Sequence, residues 1–332
     1  MQPWIFMGRS GAAVAAPTVA SVSPAVADTA GGGGIVTITG ANLTGASGVT
    51  LGGTAATSVT VVNATTITCV PGARAAGASL SILVTTPAGT NGANTLFEYW
   101  TPSQMTGIGG YYDANKSAST SSWADQSATA GSATQATGAQ QPVVTASSFG
   151  ALPGMTFDGV KRMLLASKRT QASGRSVFAV TKWLSSVSTT TAYVGNAPLV
   201  MVGESGANVQ GSFGASAGSI EYADASSGSP HNIRGSTTLN DNVARLVGVT
   251  HNSSTNVAKL YVGATQQGAD AAITAPYDSR WGWDAIGCGF LAGGDGDGFI
   301  GTLGAVIVLD QVAAGSDLTK LNAWARQRFG TP

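Results

Sequence analysis

Charge is what this sequence has least of. Lysine, arginine, aspartate and glutamate make up 10% of the 332 residues, against roughly 25% in an average soluble protein. The 16 basic and 16 acidic residues cancel. A chain this neutral has no electrostatic footprint for nucleic acid or for an anionic membrane, so neither is expected as a partner. Nor is there an apolar run of the roughly 18 residues needed to cross a bilayer, so no membrane insertion is expected. Cysteine occurs twice, at Cys69 and Cys288. The two fall in different expected domains beside apolar or glycine neighbours, which suits small buried thiols and not a disulfide framework. With no CxxC and no pair of nearby histidines, zinc has no site. No cofactor is expected.

Carboxylates suited to catalysis are equally scarce. The three glutamates are Glu98, Glu204 and Glu221, and none belongs to the facing pair a glycoside hydrolase needs. Glu221 and Asp224 lie three apart, which on a strand puts them on opposite faces. Gly214-Ala-Ser216-Ala-Gly218 matches the nucleophile-elbow pattern, but no helix follows it, and the elbow requires a strand-to-helix turn. His231 and His251 are the only histidines. Both sit beside turn residues and read as exposed loop positions, with no nucleophile and acid to complete a triad.

What is present is β pattern. From Pro17 to Trp100, short runs alternate apolar or β-branched residues with small polar ones: IVTITG (35–40), GVTLGG (48–53), SVTVVN (58–63), TITCVP (66–71), SLSILVTTP (79–87) and LFEYW (96–100). Turn residues separate them at about ten-residue spacing, the pattern of an immunoglobulin-like sandwich. The order PTVASVSPAVADTAGGGGIVTITGANL, VTLGGTAAT, TTITCVPGA, SLSILVTTPAGTNGANTLFEY resembles an IPT/TIG domain, the immunoglobulin-like module of plexins, transcription factors and many bacterial and phage surface proteins. The resemblance implies a spacer or assembly surface and no chemistry.

From Thr101 to Pro332 the runs lengthen and the loops widen. Strands are expected at MTFDG (155–159), SVFAVTKW (176–183), LVMVGE (199–204), ARLVGVTH (244–251), AKLYVGA (258–264) and FIGTLGAVIVLD (299–310). One helix closes the chain: Ser316 or Asp317 caps it, Leu318, Leu321, Ala325, Arg328 and Phe329 follow helical spacing, and Gly330 stops it. The pieces TSSWADQSATAGSATQATGAQQPVV, GALPGMTFDGVKRMLL, RSVFAV, RLVGVTHNSSTNVAKLYVGA and the closing FIGTLGAVIVLDQVAAGSDLTKLNAWARQRFG resemble concanavalin A-like, laminin-G-like jelly rolls. Domains of that fold bind sugars or proteins, cleave polysaccharides, or serve as structural surfaces, so fold does not fix function.

The expected chain is thus all-β in three parts: an apolar arm (1–16), an IPT/TIG domain (17–100) and a jelly roll with one C-terminal helix (101–332). The start, MQPWIFMGRSGAAVAA, lacks a basic leader, and Gly8-Arg9-Ser10-Gly11 breaks its apolar stretch. Trp4, Ile5, Phe6 and Met7 are expected to anchor a partner. For recognition, sugars need flat apolar ring faces beside hydroxyl, amide and carboxylate partners. YDSRWGWD supplies Tyr277, Trp281 and Trp283 with Asp278, Arg280 and Asp284. Tyr111 and Tyr112 form a second cluster. The competing reading is that Trp281 and Trp283, two apart on one strand face, pack into the core, the commoner fate of large aromatics. GGDGDGF (293–299) offers Asp295 and Asp297 to a cation, but too few oxygens for calcium and no EF-hand spacing. It reads as a turn.

Together these point to a non-enzymatic surface protein, a phage capsid-decoration or fibre subunit on the virion surface. Its arm and first domain would attach to a capsid or other virion protein, its jelly roll would face outward, host glycan is a candidate ligand, and self-association is expected. A bacterial adhesin is the alternative, with a polysaccharide-cleaving enzyme the weaker third.

Overall fold

The computed structural model describes residues 14–127, 129, 131–165, 174–183, 197–201, 204–205, 208–209, 212–216, 219–224, 231–239, 241–272, 285–287 and 299–332, with backbone alone for Ser117 and for the strands between 197 and 234. The fold is all-β. Contacts divide it into two compact units, Met1–Trp100 and Thr101–Pro332.

The first unit is an immunoglobulin-like sandwich. One sheet runs in the order Thr18–Ser23, Val36–Ala41, Thr66–Val70, Thr57–Asn63; another in the order Gly89–Thr90, Ile82–Thr86, Gly48–Leu51, Thr54–Ala55. A third joins Val26–Asp28, Phe97–Trp100 and Gly77–Leu80, with the first two parallel. Period-two alternation does what it should. Val36 and Ile38 point inward opposite Cys69 and Ile67, while Thr37 and Thr39 oppose Thr68 and Thr66 on the other face. Gly40 is required by packing, because a Cβ there would collide with the Thr18 carbonyl. The run SLSILVTTP divides at Ser81, and Asn94 supplies the missing strand: its amide bonds both the N–H and the C=O of Ile82, at 3.0 and 2.8 Å.

The second unit is a larger, jelly-roll sandwich. Its main sheet runs Val143–Phe149, Leu152–Asp158, Ile300–Leu309, Gly174–Trp183, Arg245–Asn252, Val257–Val262, Thr265–Ala272. Ile108–Asp113 also pairs with Ile300–Leu309, so that strand takes two partners in tandem along one edge. Among the described residues the second sheet has eight strands, most of them short, including Ser122–Trp123, Met163–Leu164, Ala285–Ile286 and Ala197–Met201. Between the sheets lies a core that includes Tyr112, Trp123, Phe157, Trp183, Ile286 and Phe299.

The opposite face of the main sheet is covered by the C-terminal helix, Gly315–Phe329. Trp324 meets Tyr111 edge-on with ring centres 5.9 Å apart, and Phe329 meets Phe149 at 5.4 Å. The helix ends as its sequence requires, with Gly330 left-handed at φ 67° and its N–H bonded to Arg326. Its start differs from the expectation. Ala314 is the N-cap, with no side-chain cap, and Ser316 and Asp317 lie inside the first turn.

Candidate functional site

Tyr111 and Tyr112 correct one expectation. Both are fully buried, because Ile108–Asp113 is covered on both faces and its alternating side chains enter two different cores. Tyr112 points between the sheets, edge-on to Trp123, and its hydroxyl donates to the Gly131 carbonyl at 3.2 Å. Tyr111 points under the helix, and its hydroxyl donates to Asp113 Oδ2 at 2.9 Å. Neither ring offers a face to a sugar. Asp113 also accepts from the Asn115 N–H and pairs with Arg328 Nη2 at 2.9 Å, with both side chains buried. This buried node ties the last helical turn to the sheet.

The Trp-x-Asp-x-Ser loop is likewise architectural. Asp125 accepts from the backbone N–H groups of Tyr111, Ser127 and Thr129 and from the Ser127 hydroxyl. A short carboxylate thus fixes its own loop against the neighbouring strand. Elsewhere in the second unit Asp158 pairs with Lys161, Asp241 with Arg245 and Asp270 with Lys259.

The polar feature that stands apart is a row at one end of the main sheet. Val177 and Val249 belong to the inter-sheet core. Two residues along each strand, Arg175 and His251 therefore project to the same inner face, and they are direct cross-strand partners. The row continues through Ala258 to Ala271. Arg175 is 3% exposed and His251 2%. Burial pushes the His251 imidazole down to about 4, so at neutral pH it is uncharged beside a permanent guanidinium. A buried guanidinium requires acceptors, and the neutral ring can donate or accept. Neither side chain is without a partner in the fold, and the row belongs to the packing at this end of the sheet. Sequence reading missed it because the register, and not local spacing, brings Arg175 to His251; it also read His251, the last residue of the expected strand 244–251, as exposed, whereas it is buried within Arg245–Asn252.

Ala272 ends the strand after Ala271, and Ala285 reopens described structure in the second sheet opposite Leu164 and Met201. The stretch between them carries Tyr277, Asp278, Arg280, Trp281, Trp283 and Asp284, all outside the described residues. Asp295, Asp297, Trp4, Ile5, Phe6, Met7 and Cys288 lie outside them too. Among the described residues, no three His, Cys, Asp or Glu gather to hold a metal ion. No described helix is long and apolar enough to cross a membrane. The first three residues of the nucleophile-elbow match, Gly214 to Ser216, end the strand Ser212–Ser216, which pairs with the strand Ser219–Asp224; Ala217 and Gly218 lie outside the described residues. His231 also lies on a strand, His231–Thr238, and not in a loop.

Residues 17–99 match the IPT/TIG domain family, so the first unit is an IPT/TIG domain. No curated protein matches the chain. Among solved structures, the Ruminococcus gnavus IT-sialidase CBM40 bound to α2,3-sialyllactose is 14% identical, with a TM-score of 0.37 over 46% of this chain and 84% of that one. Trypanosoma rangeli sialidase with 2,3-difluorosialic acid is 14% identical, with a TM-score of 0.47; 69% of this chain matches 34% of that one. Domain 4 of AbnA, a GH43 extracellular arabinanase from Geobacillus stearothermophilus, in complex with arabinotriose, is 11% identical, with a TM-score of 0.45 over 66% of this chain and 100% of that one.

Proposed function

We propose that the chain is a non-enzymatic surface protein in which the IPT/TIG domain serves as a spacer and the second unit binds carbohydrate at the end of its sandwich. The observation that carries this reading is one of composition, beyond the strand end at Ala272. The segment that follows supplies Tyr277, Trp281 and Trp283, the flat rings that sugars stack on, with Asp278, Arg280 and Asp284 as hydroxyl partners. Asp113 and Asp125 are held by the fold, and Asp158, Asp241 and Asp270 by basic neighbours. A glycosidase would need two carboxyl groups facing one another across a cleft.

The finer reading is a bacteriophage virion subunit, a capsid decoration or fibre protein, attached through residues 1–16 and the first unit with the second unit outward. Low charge and a hydroxyl-rich surface suit a particle exterior. Two experiments test these statements. Immunogold electron microscopy of purified particles is expected to label the exterior, and label confined to host-cell debris overturns the virion reading. Incubation with host polysaccharide is expected to release no reducing ends; their time-dependent release overturns the non-enzymatic reading.

A further inference from the structure

Asn91 is the one asparagine of this sequence followed by glycine. In an open chain that pair loses ammonia readily, because glycine has no side chain to keep its backbone nitrogen away from the asparagine Cγ. The fold holds the group that would react. Asn91 follows the short strand Gly89–Thr90 and is 8% exposed. Its N–H donates to the Val84 carbonyl at 3.3 Å, and its Oδ1 accepts from the Val84 N–H at 2.6 Å. Its Nδ2 donates to the Gly92 carbonyl at 2.8 Å and to the Ile82 carbonyl at 2.9 Å, a carbonyl that Asn94 also bonds. The oxygen and both amide hydrogens are thus engaged, against two residues, Ile82 and Val84, that are fully buried in the core. An acid in this place keeps the bond from Val84 but loses both donors and sets a negative charge against two carbonyls.

We propose that Asn91-Gly92 is a modification site that reacts only when the first unit opens, so that a transient unfolding becomes a lasting one. In the open chain the Gly92 nitrogen attacks Asn91 Cγ and forms a new C–N bond, closing a cyclic imide. The bond from Cγ to Nδ2 breaks, and ammonia leaves with the proton that the Gly92 nitrogen gives up. Water then opens the imide at either carbonyl, leaving aspartate or isoaspartate. Aspartate lacks the donors for Ile82 and Gly92. Isoaspartate adds a methylene to the main chain and moves the N–H bonded to Val84. In the folded chain the reaction has no start, because turning Cγ towards the Gly92 nitrogen breaks all three carboxamide bonds together. Where opening is faster than the chemistry, the rate follows the open population, on the order of 10⁻³ or less for a folded domain.

Peptide mass mapping of the full chain at pH 8, in buffer and in guanidinium chloride, is expected to show Asn91 converting to the acid about a hundredfold or more slower in buffer. After the denaturant is removed, converted chains are expected to show a lower unfolding midpoint for the first unit, followed by hydrogen exchange of Ile82–Thr86. Gly92→Ala keeps the fold, since a Cβ there meets nothing within 4 Å and the backbone is not left-handed. It is expected to slow conversion in denaturant by about tenfold or more and to regain its own starting midpoint after the same treatment. Equal conversion rates in buffer and denaturant, conversion that leaves the midpoint unmoved, or a Gly92→Ala chain that converts as fast as the natural one overturns the proposal.

Discussion

At the scale of single residues, three buried groups make testable statements. Asp113 and Arg328 form an ion pair with side chains 0% and 4% exposed. Removing one partner strands the other charge in the core, so Arg328→Met is expected to cost about 3–5 kcal/mol in denaturant unfolding of the second unit. Combining it with Asp113→Asn is expected to return much of that stability. His251 responds to pH. Burial lowers its pKa from 6.5 to about 4, so between those values the unfolded chain takes up a proton that the folded chain refuses. Stability from this group is complete above pH 6.5 and falls as the pH drops towards 4, by at most about 3 kcal/mol. His251→Gln is expected to flatten the stability–pH curve in that window, and an unchanged slope contradicts the assignment. Cys69, fully buried, has its thiol pushed up to about 11 by burial. Alkylation at pH 8, mapped by peptide mass, is expected to modify Cys69 only as fast as the first unit opens.

At the scale of elements, close approach of sheet and side chain sets the tolerances. Gly248 lies opposite Phe178 on neighbouring strands, and a Cβ there would collide with the ring. Gly248→Ala is expected to destabilise the second unit by about 1–3 kcal/mol, read as a lower unfolding midpoint, with the first unit unchanged. The elements legible in the sequence were those with one covered face. Thr66–Val70 alternates buried and half-buried, and that period is written in TITCV. The helix announced itself through Leu318, Leu321, Ala325 and Phe329 and through Gly330, but its start was illegible because Ala314 caps it with no side-chain bond. Ile108–Asp113 escaped notice for a related reason. It is buried from Gly109 to Asp113 and begins with an isoleucine and two glycines, so it has no alternation to read. Val26–Asp28, short, buried throughout and parallel to its neighbour, gives no local signal either.

At the scale of the whole molecule, an IPT/TIG domain precedes a larger sandwich with a helix on one face. The domain order was legible because each half has its own strand spacing. The candidate site was legible only in part. YDSRWGWD stands out by composition, whereas the Arg175–His251 row is made by register between distant strands, and Tyr111-Tyr112 looked like a binding cluster yet fills two cores. The central claim is that the second unit binds carbohydrate through the segment after Ala272. Its most direct test is a glycan array probed with the full chain, alongside Trp281→Ala and Trp283→Ala variants of matched stability. The account predicts selective binding by the natural chain and affinity weakened by about tenfold or more in each variant, since a ring stacked on a sugar in a desolvated site is worth about 1–2 kcal/mol. Binding to no glycan, or binding that both variants retain in full, contradicts it.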